Sequence, residues 1–146
     1  MSKTKYLLDL NVLISLVDED HVSHTRVKRW FQSQSMSGWY ICPLTESGFV
    51  RIVTNPKYSD PSISITEALE MLRALSKLPG YHYLPISAPW LEVVAPFAER
   101  LFGHQQVADS YLLGLAIKEQ AVLVTMDKAI KSLAGPQLQR HMLLLA

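Results

Sequence analysis

Several features are scarce in this chain of 146 residues. Cys42 is the single cysteine, so no disulfide closes within the chain and a reducing compartment is the expected setting. Excess charge is lacking as well: the formal net charge is +1 at pH 7. No global field draws such a protein to a polyanion, and any such binding must rest on a local group of cations. No apolar run reaches the roughly 18 residues that mark a membrane span. The nearest, Lys5 to Val17, is interrupted by Asp9 and Asn11. Asp18-Glu19-Asp20 follow it with no small-residue cleavage site, which reads against a signal peptide. Repeats, low-complexity tracts and linkers are also missing. The expectation is a soluble, cytoplasmic protein with no membrane association, a single domain over residues 1–146.

What is abundant is apolar content, 49% of residues against 18% charged, enough to bury a substantial core. The stretch Lys5 to Val17 opens as a strand at Tyr6-Leu7-Leu8. It continues at helical spacing through Leu10, Leu13, Ile14 and Val17. Asp9 therefore stands where a core strand ends and a helix starts, which in open α/β sheets is where ligands bind. Two readings remain open there: a ligand-binding carboxylate, and a helix cap. Further strands are expected at Trp39–Cys42, Tyr81–Leu84 and Ala121–Thr125, with a short one at Met142–Leu145. Helices are expected over Val22–Ser33, Leu44–Thr54, Thr66–Lys77, Pro89–Phe102 with Pro96 as an irregularity, and Gln106–Gln120. A last helix runs from Asp127 to a stop at Gly135-Pro136, and Ser35–Gly38 reads as a turn. Strands alternating with helices imply a three-layer α/β/α sandwich around a mainly parallel sheet.

Of the 13 Asp and Glu residues, nine lie in polar or helix-surface settings. The other four share a pattern. Asp9 ends the first strand, Glu46 falls in the first turn after the second, Asp109 opens the Gln106 helix, and Asp127 follows the most apolar strand as Thr125-Met126-Asp127. Each alone is accounted for by the helix dipole. Together, in apolar surroundings, they form a cluster if parallel strands bring their ends to one edge, and such a cluster requires cations. All-oxygen donors suit Mg²⁺ or Mn²⁺, and an ion so held supports phosphodiester hydrolysis. His21, His24 and His104 lack the spacing of a zinc site. Ser47 and Ser110 have no His-Asp relay, which disfavours a serine hydrolase. Arg51, a little over one helical turn past Glu46, faces the same edge either as a phosphate contact or as a salt bridge to the acids. Arg26, Lys28, Arg29, Lys57, Lys128 and Lys131 are candidates for an RNA track or for solvated helix faces.

In order along the chain come Leu-Leu-Asp-Leu-Asn-Val-Leu, Thr-Glu-Ser-Gly-Phe-Val-Arg, Val-Ala-Asp-Ser-Tyr-Leu-Leu-Gly-Leu-Ala and Leu-Val-Thr-Met-Asp. This series resembles a PIN domain, in particular the VapC-type toxins of bacterial toxin–antitoxin pairs. The resemblance implies an α/β/α endoribonuclease that uses Mg²⁺ or Mn²⁺. It places metal ligands at Asp9, Glu46, Asp109 and Asp127, with Thr125 and Asn11 orienting ligands or the attacking water. It also implies in-line attack of water on RNA phosphorus, leaving a 5′-phosphate and a 3′-hydroxyl. A cognate small antitoxin and a homodimer are the partners it implies. A chain of this length without a linker leaves no room for an inhibitory segment in cis, so restraint is expected from that separate protein. The rival reading is a receiver-like signalling module with an acidic Mg-binding pocket. It expects an acidic pair after the first strand and a phospho-acceptor Asp ending a central strand. Here the pair is Asp9 and Asn11, and the strand at Trp39 runs into Pro43 with no Asp.

Overall fold

The computed structural model describes residues 3–34, 37–59, 61–101 and 103–145. Five short strands form one sheet: β1 (Tyr6–Leu8), β2 (Trp39–Ile41), β3 (Tyr81–Tyr83), β4 (Val122–Thr125) and β5 (Met142–Leu144). Every pairing is parallel, in the order β3-β2-β1-β4-β5. Leu7 sits beside Tyr40 on one side and Leu123 on the other, and Leu8 beside Val124. Successive side chains on a strand point to opposite faces. Leu7 and Leu123 accordingly enter one apolar layer and Leu8 and Val124 the other, all four with no exposed surface. Burial on both faces is why these strands read as unbroken apolar runs rather than as alternation.

The helices divide between the two faces. Helices α1 (Leu10–Val17), α2 (His24–Gln34), α3 (Pro43–Val53) and α4 (Ile65–Leu75) cover the Leu8 side, through Val12, Leu13, Val27, Phe49, Val53 and Leu75. Helices α5 (Trp90–Val94), α6 (Val107–Lys118) and α7 (Lys128–Leu138) cover the Leu7 side. A helix that links two parallel strands runs back against them. Its N-terminus therefore lies at the edge where strands end. The chain steps outward from β1 to β2 to β3, then returns to lay β4 on the other side of β1. At this strand-end edge a crevice opens between the start of α1, one face of α3 and the first turns of α6.

The differences from the sequence expectations are local. Pro96 does not bend one long helix; α5 ends at Val94, and Pro96 lies in the first turn of a 3₁₀ segment, Ala95–Arg100. The missing N–H of proline and its ring both oppose continuation of an α-helix. Gly135, with φ 69° and ψ 171°, breaks α7 where a stop was expected, although helical turns resume as far as Leu138. The expected turn Ser35–Gly38 and the expected helix end at Phe102 fall partly outside the described residues. Among the described residues no helix is long and apolar enough to cross a membrane.

Helix α6 is buried from Ser110 through Ala116, so it has no solvent stripe over that span. Gly114 makes this possible: a β-carbon there would lie 2.2 Å from the Val93 carbonyl oxygen. The clash would be with backbone, which cannot rotate aside. Gly114→Ala is expected to cost about 1–3 kcal/mol and to lower the melting temperature by roughly 3–10 °C. Calorimetry checks this, and an unchanged midpoint would mean that α5 and α6 are not held this close.

Candidate active site

The crevice is built around Asp9. Its backbone N–H still pairs as a strand residue, donating to the Val124 carbonyl at 2.9 Å, while its own carbonyl accepts from Leu13 N at 3.0 Å as the first helical bond. One carboxylate oxygen accepts from Leu10 N at 2.7 Å, capping α1. The other accepts from the Thr125 hydroxyl, also at 2.7 Å. Asp9 is 4% exposed, with no cationic partner among the described residues. Burial pushes its carboxyl above the ordinary value, opposed by the Thr125 and Leu10 hydrogen bonds and reinforced by the charge of Asp127.

Thr125 ends β4 and is fully buried. Its oxygen donates to Asp9 and accepts from Asp127 N at 3.1 Å. One hydroxyl thus sets the position of two acids from different strand ends. Asp127 in turn caps α7, accepting from Ala129 N at 2.9 Å. Asp109 stands in the first turn of α6. Burial first, then the charges of Asp9 and Asp127, then a hydrogen bond to Asp127 push its carboxyl up to about 7. Two carboxylates can share a hydrogen bond only when one carries a proton, and Asp109 holds it.

The structure therefore brings Asp9, Asp109, Asp127 and Thr125 together. Glu46 stands apart, contrary to the convergence of four carboxylates expected from the sequence. It keeps its place in the first turn of α3 at the same sheet edge. On a helix of 3.6 residues per turn, however, it lies roughly opposite Leu44 and Gly48, which line the crevice. Burial alone raises its carboxyl, and its charge acts on the Tyr81 phenol of β3. Asn11 is exposed on α1 and lines the same cavity, about 220 Å³, as Asp9, Ser47, Gly48, Arg51 and Asp109. Among the described residues no three acidic, His or Cys side chains converge closely enough to ligate one ion as they stand. The donor set nevertheless fits a hard divalent cation: oxygen donors only, a buried carboxylate without a counter-charge among the described residues, and a neighbour whose proton is retained by burial and by the adjacent acids. Mg²⁺ commonly takes one or two protein carboxylates and fills its remaining positions with water.

Two residues at this site lay outside the sequence reading. Thr45, fully buried at the root of α3, reaches the Leu8 carbonyl at 3.5 Å and fastens α3 to the end of β1. A polar residue directly before Glu46 in an apolar setting was the available signal. Ser47, considered only as a nucleophile, forms part of the crevice wall. The basic residues of α2, Arg26, Lys28 and Arg29, are exposed, and Lys28 borders a different hollow, beside Phe31 and Met71.

Residues 6–136 match the model of the PIN domain. The chain belongs to the PIN domain family. Within that family it is similar to ribonuclease VapC38 of Mycobacterium tuberculosis, 38% identical over 128 residues that cover 88% of this chain and 89% of the relative. It is likewise 36% identical to ribonuclease VapC44 of the same organism over 130 residues, 89% and 91% of the two chains. Solved structures share the PIN fold. That of VapBC2 from Rickettsia felis bound to a DNA fragment from their promoter superposes with a TM-score of 0.65 at 14% identity, covering 89% of this chain and 93% of that one. FitAB bound to IR36 DNA gives 0.61 at 21% identity, with 88% and 90% covered. No comparison points to a receiver module.

The raised Asp109 carboxyl makes the stability of this PIN domain depend on pH. The ordinary value for Asp is 3.8, and in the folded chain Asp109 titrates at about 7. Between these values the native state holds a proton that the unfolded chain has lost. Metal-free stability therefore falls as pH rises from about 4, and the full penalty is present above about 7. Asp109→Asn is expected to raise the metal-free melting temperature at pH 8 by a few degrees, to change it little at pH 4, and to diminish the stabilisation by Mn²⁺. A lower midpoint at pH 8, with wild-type and variant protein stabilised equally by Mn²⁺, would make Asp109 a structural cap.

Proposed function

We propose that this PIN domain protein is a divalent-metal-dependent endoribonuclease that hydrolyses RNA phosphodiester bonds, acting as the toxin of a toxin–antitoxin pair. The observation that carries the reading is the group Asp9, Asp109, Asp127 and Thr125 at the open ends of β1 and β4, in a chain more than a third identical to VapC ribonucleases. Asp9 and Asp109 would hold the ion, with Asp127 beside them; Mg²⁺ and Mn²⁺ both suit these oxygens. Once bound, the ion supplies Lewis acidity, making the attacking water more acidic and offsetting charge that develops on the phosphate.

The remaining work belongs to the chain. The Leu10 amide and the Thr125 hydroxyl hold both oxygens of Asp9, so its carboxylate does not reorient during the reaction. Asp109 releases its proton when a cation arrives, so ion binding is tighter at higher pH. Asn11, exposed at the rim, supplies an amide to orient water or a phosphate oxygen. Glu46, half-buried in the first turn of α3 at the same edge, would join the ligands by rotation of its side chain. The homodimer belongs to the same proposal, and the exposed Tyr83, Ile86, Trp90 and Leu91 offer it a surface.

Purified protein is expected to cleave RNA with Mg²⁺ or Mn²⁺ and to stop when EDTA is added. Asp9→Asn should lower the rate by about two orders of magnitude or more while the fold persists. Thr125→Val should cost about 10- to 100-fold, and Thr125→Ser, which keeps the hydroxyl, much less. Cleavage undiminished in EDTA or by Asp9→Asn would overturn the mechanism.

The partner reading has its own test. A small antitoxin is expected to cover the acidic crevice, with an Arg or Lys directed at the carboxylates. Expression of this chain alone should slow growth of its host, and co-expression with the product of a neighbouring small gene should relieve it. A chain that cleaves RNA in vitro yet is harmless alone in its own host would remove the toxin role and leave the nuclease.

A further inference from the structure

Four consecutive-turn positions of α3, Leu44, Ser47, Gly48 and Arg51, line the cavity that contains Asp9, Asn11 and Asp109. Spacings of three, four and seven residues put them on one helix face. Gly48 sets how near that face comes to α1: a β-carbon there would lie 2.7 Å from the Leu10 Cδ2 atom. Arg51, one turn further along the same face, borders the cavity that Asn11 also lines. From the sequence, a salt bridge with the acids was the favoured reading of Arg51 over a phosphate contact. The structure does not form it. Among the described residues the two ion pairs are Arg73–Glu70 and Lys118–Glu92, and the Arg51 side chain is exposed with no hydrogen-bond or ionic partner. Among the described residues it is the one cation bordering this cavity.

An unpaired guanidinium beside carboxylates has a definite electrostatic consequence. Two carboxylates with a divalent ion are close to neutral, so they provide little net attraction for a phosphodiester. A fixed positive charge on the cavity wall supplies what the cluster does not, and a guanidinium presents paired N–H groups to two phosphate oxygens. We propose that Arg51 is a substrate-binding residue that grips a backbone phosphate of the RNA strand lying across the Asp9–Asp109 crevice. This rests on the nuclease reading and names the side chain that seats its substrate. Its contribution is to affinity and register, with no proton transferred.

The test uses Arg51→Ala and Arg51→Lys in the full chain, with a short single-stranded RNA as probe. Because Arg51 is exposed and unpaired, both variants should melt at the wild-type temperature. With Mn²⁺ present, Arg51→Ala is expected to raise KM about tenfold or more and to change kcat less than threefold. Fluorescence anisotropy in the cleavage-blocked Asp9→Asn background should show a matching loss of affinity. It should also show a salt dependence shallower by about 0.7 in log–log slope, the signature of one lost phosphate contact on a single strand. Arg51→Lys should restore the slope and recover affinity in part, since it keeps the charge and loses the paired geometry. Unchanged KM, affinity and slope in Arg51→Ala, with active wild-type protein, would overturn the assignment of Arg51 alone. Wild-type protein that neither binds nor cleaves the RNA would overturn the nuclease reading and this inference with it.

Discussion

The hydrogen bond from Thr125 to Asp9 joins the ends of β1 and β4, two neighbouring strands separated by 116 residues of sequence. Everything at the site is measured from it. The same hydroxyl receives the Asp127 amide, so the loop after β4 takes its shape from the bond that orients the loop after β1. It also answers a buried charge. An isolated carboxylate in an apolar core is costly, and Asp9 offsets part of that cost through two donors held at short distance. Replacing Thr125 by an apolar isostere would leave one oxygen of the buried Asp9 carboxylate without that donor.

What that bond does not offset is the mutual repulsion of Asp9, Asp109 and Asp127. Burial first, and then this repulsion, lets Asp109 retain its proton near neutrality. A site of this kind is unfavourable in the empty state and is relieved by protons at low pH or by a cation. That tension is consistent with use rather than with capping alone, since an acid that only caps a helix has its carboxyl pulled down. Asp18, at the C-terminal end of α1, shows the opposite direction to Asp109: hydrogen bonds from Tyr58 and the Asp20 amide and the nearby His21 and His24 hold it low.

Helix α3 shows how rotation about an axis distributes function. Its cleft-facing stripe is Leu44, Ser47, Gly48 and Arg51, its core-facing stripe includes Phe49 and Val53, and Glu46 lies off the cleft stripe, its charge acting on Tyr81. Thr45 and Gly48 fix the phase, the first through the Leu8 carbonyl and the second by permitting contact with Leu10. Glu46, which the resemblance places among the metal ligands, is thus turned from the aspartates, while Arg51, ambiguous in sequence, borders their cavity.

The alternation of apolar runs and helical spacings was enough to determine the α/β class, all five strands and the position of Asp9, Asp109 and Asp127 at strand ends or first turns. Period and punctuation are local properties, and a strand buried on both faces announces itself by composition. The order of acidic motifs determined the PIN family for the same reason, since each motif is a short contiguous segment. Which acids meet was decided by tertiary structure. Strand order β3-β2-β1-β4-β5 sets β4 against β1 and so gives Asp9 the neighbours Thr125 and Asp127. Glu46 and Arg51 were settled by the angular phase of α3, fixed by contacts of Thr45 and Gly48 with residues more than thirty positions away in the chain. No window of sequence contains both partners of such a contact, so only the folded chain could decide it.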